Sequence, residues 1–309
     1  MSTLAIPAKV PSPRDDARSL HDAFKGLRCD NSAVISILAH RNSAQIERIQ
    51  ESYDNKYPEE LRKRVSSELH GHFKKAVLLW LREPMVRNAN ILKHALRDTV
   101  QNLKVASDVI CSSTPSQLRK LKQVYQSSYG APVEQDIENA THGDHKKLLL
   151  AYINTTRYEG PEIDETQILN DANAIKRGEN VFIQIFSERS AAHLFAVNNV
   201  YSGMYGPLEK AIKKDRSENF GYALLAILRF VENPAKYFAR VLRKAMKGLG
   251  THDSSLIWVI VTRAEIDLQY IKEEYKRKYG KSLSSAVSSE ISGHYRSFLL
   301  ALLGPKRID

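Results

Sequence analysis

Four copies of one short motif, Tyr-x-x-x-Tyr followed by Gly or Pro, run through the chain at nearly constant spacing. The first tyrosines of successive copies lie 72, 76 and 74 residues apart in a sequence of 309 residues, at Tyr53, Tyr125, Tyr201 and Tyr275. Similar apolar runs follow the copies, at Ala76–Leu79, Leu148–Ala151, Leu224–Ile227 and Leu299–Leu302. Self-similarity at a fixed period indicates one supersecondary unit repeated four times, although length alone suggests two ordinary domains.

The apolar spacing within a unit is helical. In the last unit the apolar positions follow steps of four and three, at Ile266, Tyr270, Ile271, Tyr275 and Tyr279. No strand-like alternation persists, so the sequence predicts an all-α fold. The two tyrosines of each motif fall on one helical face, and we expect them to be core residues.

Start and stop signals divide each unit further. In the last unit, Asn233 and Pro234 open a helix, the segment Gly248–Thr251 interrupts the pattern, Gly280 ends another helix, and Gly293 follows a further break. These signals predict five short helices per repeat. The longest polar connector, Asn154–Glu165, falls between the second and third units. We therefore expect the two halves of the chain to pack as separate pairs of repeats.

Charge and composition narrow the partners. Lys and Arg (46) exceed Asp and Glu (35), giving a net charge of +11, which favours attraction to nucleic acid or to anionic lipid. The basic residues are dispersed along helices without a nucleic-acid-binding fingerprint, so we predict no nucleic-acid partner. No run approaches the roughly 18 apolar residues of a membrane span, so membrane contact would be peripheral. The N-terminal residues carry no apolar targeting segment, and the two cysteines, Cys29 and Cys111, fit free thiols, which together predict a cytoplasmic protein.

One glycine-containing loop of the last repeat carries the strongest chemical signal. The loop Met246–Thr251 interrupts two helices, and Glu290 follows Gly248 by 42 residues. Calcium takes about 6–8 oxygen ligands, and glycines allow a loop to turn carbonyl oxygens inward. We predict a calcium site formed by the carbonyls of Met246, Gly248 and Gly250 with the carboxylate of Glu290. The alternative is an ordinary helix C-cap followed by an N-cap, which the loop alone would favour.

A second loop repeats the same arrangement and favours the calcium interpretation. In the first repeat the segment Phe24–Asp30 aligns with the last loop, and Glu68 follows Gly26 by the same 42 residues. This match predicts a second site formed by Phe24, Gly26, Arg28 and Glu68.

These segments resemble annexin sequences. The resemblance rests on the loop Met246–Thr251 with its distal Glu290, on the segment Thr262–Asp267 and on Ser67–His72, and it extends over about residues 14–304. The His40-Arg41-Asn42 segment resembles the plant branch of the family, and so does the retention of metal loops in repeats one and four alone.

The resemblance implies both an architecture and a function. It implies four annexin-like repeats at residues 14–84, 85–157, 158–232 and 233–309, after a short tail at residues 1–13, forming a curved disc. It also implies a protein that moves to anionic phospholipid membranes when calcium rises, the ion bridging the loops to lipid phosphate. Leu27 and Leu249 would then face the bilayer, and actin or further copies of the chain are additional partners that the family raises.

The first loop departs from the family pattern. Arg28 stands where the family has its second glycine, which predicts a weaker site because a side chain at positive φ costs about 1–3 kcal/mol. An alternative is that Arg28 contacts lipid phosphate directly. Repeat two carries Ala140 in place of the acid, and repeat three keeps Asp215 but has a shortened loop, so we expect no metal in either.

Enzymatic functions are the main alternatives. The Gly280-Lys281-Ser282 segment resembles the end of a nucleotide-binding loop, but the upstream glycine position holds Tyr275. His40 is the candidate for peroxidase-like activity, and the sequence near it offers no second catalytic group. We therefore predict no enzyme, and keep peroxidase, nucleotide phosphohydrolase, calcium-permeable channel and cytoskeletal adaptor as alternatives.

Overall fold

The described chain is helical throughout. A computed structural model describes residues 1–98, 102–178, 180–214, 217–248 and 250–305, and within these ranges it contains twenty α-helices and no strand. The all-α prediction and the prediction of five helices per repeat are confirmed. No helix within the described ranges has the length and apolar character needed to cross a membrane.

The first of two compact units is formed by residues from both ends of the chain, Met1–Arg87 and Phe238–Asp309. Its helices in the first repeat are α1 (Pro13–Ala23), α2 (Asn31–Leu38), α3 (Ser43–Lys56), α4 (Leu61–Glu68) and α5 (Gly71–Trp80). Those of the fourth repeat are α16 (Pro234–Ala245), α17 (Asp253–Arg263), α18 (Leu268–Tyr279), α19 (Leu283–Glu290) and α20 (Gly293–Leu303).

The second unit is the middle of the chain, Asn88–Tyr237. Its helices in the second repeat are α6 (Pro84–Arg97), α7 (Leu103–Cys111), α8 (Pro115–Tyr129), α9 (Val133–Ala140) and α10 (Gly143–Asn154). Those of the third repeat are α11 (Glu165–Arg177), α12 (Phe182–Glu188), α13 (Ala191–Tyr205), α14 (Leu208–Lys213) and α15 (Glu218–Glu232).

This division corrects the expected pairing of repeats. Repeat one packs with repeat four through α5 against α17 and α20, and repeat two packs with repeat three through α10 against α12 and α15. The polar connector does not separate two halves because it is fastened to repeat two. Arg157 is buried, stacks 3.6 Å from the ring centre of Tyr152 and donates to its carbonyl, and Glu159 accepts two hydrogen bonds from Ser116.

Local signals in the sequence explain where the helices begin and end. Asn42 caps α3 and Thr114 caps α8, each in a capping box with a glutamine three residues later. Gly130 and Gly280 end α8 and α18 in the left-handed conformation, which glycine adopts without a Cβ clash.

The repeated tyrosines lie in the core as predicted. The first tyrosine of every pair is buried, and its ring centre lies 4.7–5.3 Å from that of the second tyrosine, in the pairs Tyr53–Tyr57, Tyr125–Tyr129, Tyr201–Tyr205 and Tyr275–Tyr279. Rings at this separation add to the stability gained from burial alone. The motif is therefore a packing element that recurs with each repeat.

The buried Arg87 pairs with a carboxylate of the fourth repeat within the first unit. Arg87 is 1% exposed and lies 4.3 Å over the ring of Trp80. Its guanidinium donates to the carboxylate of Glu265 at 3.1 Å, and burial lowers the pKa of Arg87 while Glu265 opposes that effect. The same carboxylate also accepts from the backbone N–H of Ser43 at 2.7 Å and from its hydroxyl. One carboxylate thus satisfies donors from Ser43 of the first repeat and from Arg87 at the start of the second, both within the first unit.

Removal of Glu265 should destabilise the first unit. In Glu265→Ala the Arg87 charge stays buried without its carboxylate partner, which should cost about 2–3 kcal/mol of the free energy of unfolding. Urea unfolding followed by circular dichroism measures this change. Glu274→Ala is the matched control because its partner, Arg277, is 65% exposed at the side chain. Equal losses in the two variants would contradict the role assigned to the buried arginine.

Buried polar groups also stabilise the second unit. Asp108 of α7 is 2% exposed and accepts hydrogen bonds from the phenols of Tyr222 and Tyr237. On the same helix, the hydroxyl of Ser107 lies 2.8 Å from Nε2 of His145, which α10 contributes. Burial lowers the pKa of His145 to about 4, so the ring is neutral at neutral pH.

The second unit should lose stability in mild acid because of His145. Its pKa of about 4 lies below the ordinary 6.5, so between these values only the unfolded state takes up the proton. The free energy of unfolding should fall by about 3 kcal/mol from this group as pH drops through that window. Urea unfolding at about pH 7 and about pH 4.5 should show a smaller fall in His145→Gln than in the wild type. An equal fall in the wild type and in His145→Gln would contradict this role of His145.

Candidate metal centre

The loop of the fourth repeat is closed by one backbone hydrogen bond. The N–H of His252 donates to the carbonyl of Ala245 at 2.8 Å, which brings the end of α16 next to the start of α17. Gly248 and Gly250 have φ angles of 116° and 86°, in the region that favours glycine. A substitution at either position would be strained. The glycines therefore have the backbone role that the sequence predicted.

The proposed ligand atoms of this loop are available. The carbonyls of Met246, Gly248 and Gly250 accept no hydrogen bond from another described residue, and the Glu290 carboxylate is exposed and has no ion pair within the described ranges. The described residues also include no cluster of three or more His, Cys, Asp or Glu, so a site here would use carbonyl oxygens with one carboxylate. That donor set suits calcium, which binds oxygen ligands.

Leu27 and Leu249 are the two leucines that are predicted to face a membrane. Leu27 in the first loop is fully exposed, at 108% of its reference area. Leu249 lies outside the described residues. Single exposed hydrophobic residues are common on protein surfaces, so the membrane-facing role of Leu27 stays a prediction.

The loop of the first repeat has the same closure but a different conformation. The N–H of Asp30 donates to the carbonyl of Ala23 at 2.9 Å, as in the fourth repeat. Gly26, however, is outside the left-handed region, and a Cβ there would lie 3.1 Å from the carbonyl oxygen of Arg28. The first loop is therefore not a copy of the fourth, and the weakening effect of Arg28 stays a prediction.

An arginine that the sequence analysis missed joins two of the predicted ligands of the first loop. Nη2 of Arg64, in α4, donates to the carbonyl of Phe24 at 2.8 Å and lies 2.8 Å from Oε1 of Glu68. A positively charged group thus already lies where the two oxygens converge. The available signal was its spacing, since Arg64 precedes Glu68 by four residues on a helix. In the fourth repeat the corresponding position holds the small residue Ala286.

The nearby thiol is unreactive at neutral pH. Burial raises the pKa of Cys29 to about 11, and the negative charges of Glu68 and Asp30 act in the same direction. Burial likewise raises the pKa of Cys111, and both cysteines are free thiols. Both groups therefore stay protonated near pH 7.

The second repeat keeps the loop closure and carries an ion pair at the end of α6. The N–H of Asn102 donates to the carbonyl of Ala95 at 2.9 Å. Arg97 pairs with Asp136 at 2.6 Å, and the same carboxylate accepts from the phenol of Tyr125. Residues 99–101 of this loop lie outside the described residues, so the absence of a metal from this repeat stays a prediction.

The third repeat has a shorter loop, in which Gly178 ends α11 in the left-handed conformation. Glu179 and the predicted acid, Asp215, lie outside the described residues. The prediction that this repeat holds no metal therefore stays a prediction.

The residues on which the enzymatic alternatives rest, His40 and the Gly280–Ser282 segment, have structural roles in the fold. Nδ1 of His40 lies 3.1 Å from the carbonyl oxygen of Ser36, one helical turn earlier. Gly280 ends α18 and Ser282 caps α19, so this segment is a helix junction. Neither position requires a catalytic explanation.

Comparisons with known proteins agree with the fold and the four repeats. The family model described as Annexin matches residues 15–80, 87–152, 171–227 and 237–302. Annexin D5 of Arabidopsis thaliana is 51% identical, with 99% of each chain covered. The structure of chicken annexin V superimposes with a TM-score of 0.92 at 32% identity, covering 98% of this chain and 99% of that one. A calcium-bound annexin (Sm)1 superimposes with a TM-score of 0.83 at 26% identity, covering 99% of this chain and 93% of that one.

The four matched segments each contain one of the repeated tyrosine motifs. The family match, the full-length similarity to a plant relative and the twenty-helix fold agree with one another. This chain therefore belongs to the annexin family and is of the plant type.

Proposed function

We propose that this protein binds anionic phospholipid membranes in a calcium-dependent manner and that the loop of the fourth repeat is its principal site. Calcium-dependent phospholipid binding is characteristic of annexins, and the finer assignment rests on one observation. The carboxylate of Glu290 is unpaired among the described residues, beside a loop whose two glycines have positive φ. The first repeat lacks both properties.

The chain's own residues prepare this loop for the ion. The left-handed glycines turn the backbone so that the carbonyls of Met246, Gly248 and Gly250 are free of hydrogen bonds from the described residues. Glu290 supplies a balancing negative charge. Calcium, when bound, supplies a divalent charge with further coordination positions that lipid phosphoryl oxygens can take. The net charge of +11 adds a general attraction to anionic lipid that salt screens.

This function places the protein in the cytoplasm at rest and at the membrane surface when calcium rises. The absence of a helix able to span a membrane within the described ranges fits peripheral attachment. Nothing in the structure favours the enzymatic, channel, actin-binding or self-association alternatives over membrane binding.

Loss of the Glu290 charge should remove most calcium-dependent binding. In Glu290→Gln the carbonyl oxygens stay in place but the only carboxylate is lost, so a higher calcium concentration should be needed, by about tenfold or more. Pelleting with phosphatidylserine vesicles across a calcium series measures the midpoint. Glu138→Gln is the matched control, because Glu138 is an exposed glutamate of α9, the equivalent helix in the second repeat. An unchanged midpoint in Glu290→Gln would refute the assignment.

Truncation of Leu27 should weaken attachment without changing calcium binding. Transfer of a fully exposed leucine into the bilayer is worth about 1.5–3 kcal/mol, so Leu27→Ala should lower the vesicle partition coefficient by about tenfold or more. Lipid-free calcium binding should be unaltered because the side chain contributes no ligand. A matched control is Leu169→Ala, an exposed leucine of α11. Equal partition of wild type and Leu27→Ala would show that the first loop does not enter the bilayer.

A further inference from the structure

We propose that the guanidinium of Arg64 serves as the cation of the first repeat, so that this loop binds no calcium while Arg64 is present. This inference rests on the proposed function, since it assigns the calcium dependence of the protein to the fourth repeat alone. It concerns a residue of this chain, and it predicts a calcium stoichiometry that can be counted.

The guanidinium of Arg64 lies close to where a metal ion would bind. A single nitrogen of Arg64 lies 2.8 Å from both the carbonyl oxygen of Phe24 and the carboxylate of Glu68. Calcium would lie about 2.3–2.6 Å from such oxygens, so the guanidinium nitrogen takes nearly the position that a metal would need. Phe24 is 1% exposed, which fixes the position of its backbone. A metal cannot contact both oxygens unless the arginine side chain withdraws.

The charges around the first loop also oppose the binding of a metal ion. The carboxylate that would balance the metal is already paired, and the arginine and glutamate side chains are 34% and 23% exposed, so solvent screens the pair only in part. An incoming divalent ion would meet the charges of both Arg64 and the exposed Arg28. Arginine also stays protonated throughout the physiological pH range.

The repeats differ in whether the acid has a cationic side chain of the protein as its partner. The second repeat also carries an arginine–carboxylate pair, between Arg97 at the end of α6 and Asp136 of α9, whereas Arg64 and Glu68 both lie on α4. In the fourth repeat Ala286 stands at the position of Arg64, and Glu290 remains unpaired among the described residues. The acid without an internal cation thus belongs to the repeat whose loop has the left-handed glycines.

The consequence is a first loop whose shape does not depend on calcium. Arg64 ties the first residue of the loop, Phe24, to the carboxylate of Glu68 in the absence of metal. Leu27 and Arg28 at the loop tip are both exposed in this arrangement. The first loop is therefore ready to meet a membrane before calcium rises, and the fourth loop supplies the response to calcium.

The test counts bound calcium on the full-length protein without lipid. Equilibrium dialysis with radioactive calcium, extended to millimolar concentrations, should give about one ion for the wild type and none for Glu290→Gln. Arg64→Ala should bind about two ions, and Arg64→Ala with Glu290→Gln about one. The ion gained by the double variant should disappear when Glu68→Gln is added. Arg64→Gln is a second test variant, which keeps a donor for the Phe24 carbonyl.

Matched controls separate the effect of Arg64 from general changes in charge. Lys63→Ala removes the neighbouring positive charge of α4, whose side chain is 67% exposed, and should gain no ion. Arg28→Gly removes the charge at the loop tip and restores the family glycine, and by itself it should also gain no ion. Circular dichroism and the melting temperature without calcium establish that each variant is folded. Calcium should raise the melting temperature of the Arg64→Ala, Glu290→Gln double variant more than that of Glu290→Gln.

Three results would overturn the inference: two ions bound by the wild type, no gain in folded Arg64→Ala and Arg64→Gln, or a gain in Arg28→Gly alone. The proposed function fails in a different way. If the wild type binds no ion and Arg64→Ala binds one that depends on Glu68, the fourth-repeat site is wrong and the role of Arg64 stands. If Glu290→Gln loses its ion but no Arg64 variant gains one, the reverse holds.

Discussion

One backbone hydrogen bond recurs at the end of the first helix in three repeats, and the loops that follow these helices are built on it. It closes a loop by joining residues seven apart, in the pairs Ala23–Asp30, Ala95–Asn102 and Ala245–His252. The closure fixes where the loop begins and ends but not what lies inside it. Within that common closure, the first and fourth loops differ in backbone conformation at Gly26 and Gly248. They also differ in the residue four positions before the acid, which is Arg64 in the first repeat and Ala286 in the fourth.

Both loops that are predicted to hold calcium belong to the first compact unit. Within that unit Glu265 of the fourth repeat accepts hydrogen bonds from Ser43 of the first repeat and from Arg87 at the start of the second. In the second unit, Arg97 at the end of α6 pairs with Asp136 of α9. Buried ion pairs of this kind cost desolvation energy, so they are retained where geometry and further hydrogen bonds compensate.

Local features of the sequence predicted the fold better than they predicted its long-range pairing. The tyrosine motif, its helical spacing and the glycine stops gave the repeats and their helices, because each signal acts within a few residues. The connector around Arg157 was misleading because its polar composition did not show that Arg157 is buried against Tyr152. Contacts such as Arg87 with Glu265 join residues 178 positions apart, and no local pattern identifies such partners.

The candidate site shows the same division between local and spatial information. The spacing of Gly248 and Glu290 predicted a loop and an acid, and the positive φ of the glycine agrees with that role. In the sequence, Arg64 is one basic residue among many on a helix predicted to be solvated. Its role depends on the direction of the Phe24 carbonyl, which the sequence does not show. With an internal cation, the ordering of the first loop is achieved when the chain folds, and little conformational entropy remains to be lost on membrane contact. The fourth repeat instead keeps the Glu290 carboxylate unpaired among the described residues, and this is the repeat in which we propose that added calcium changes the charge balance.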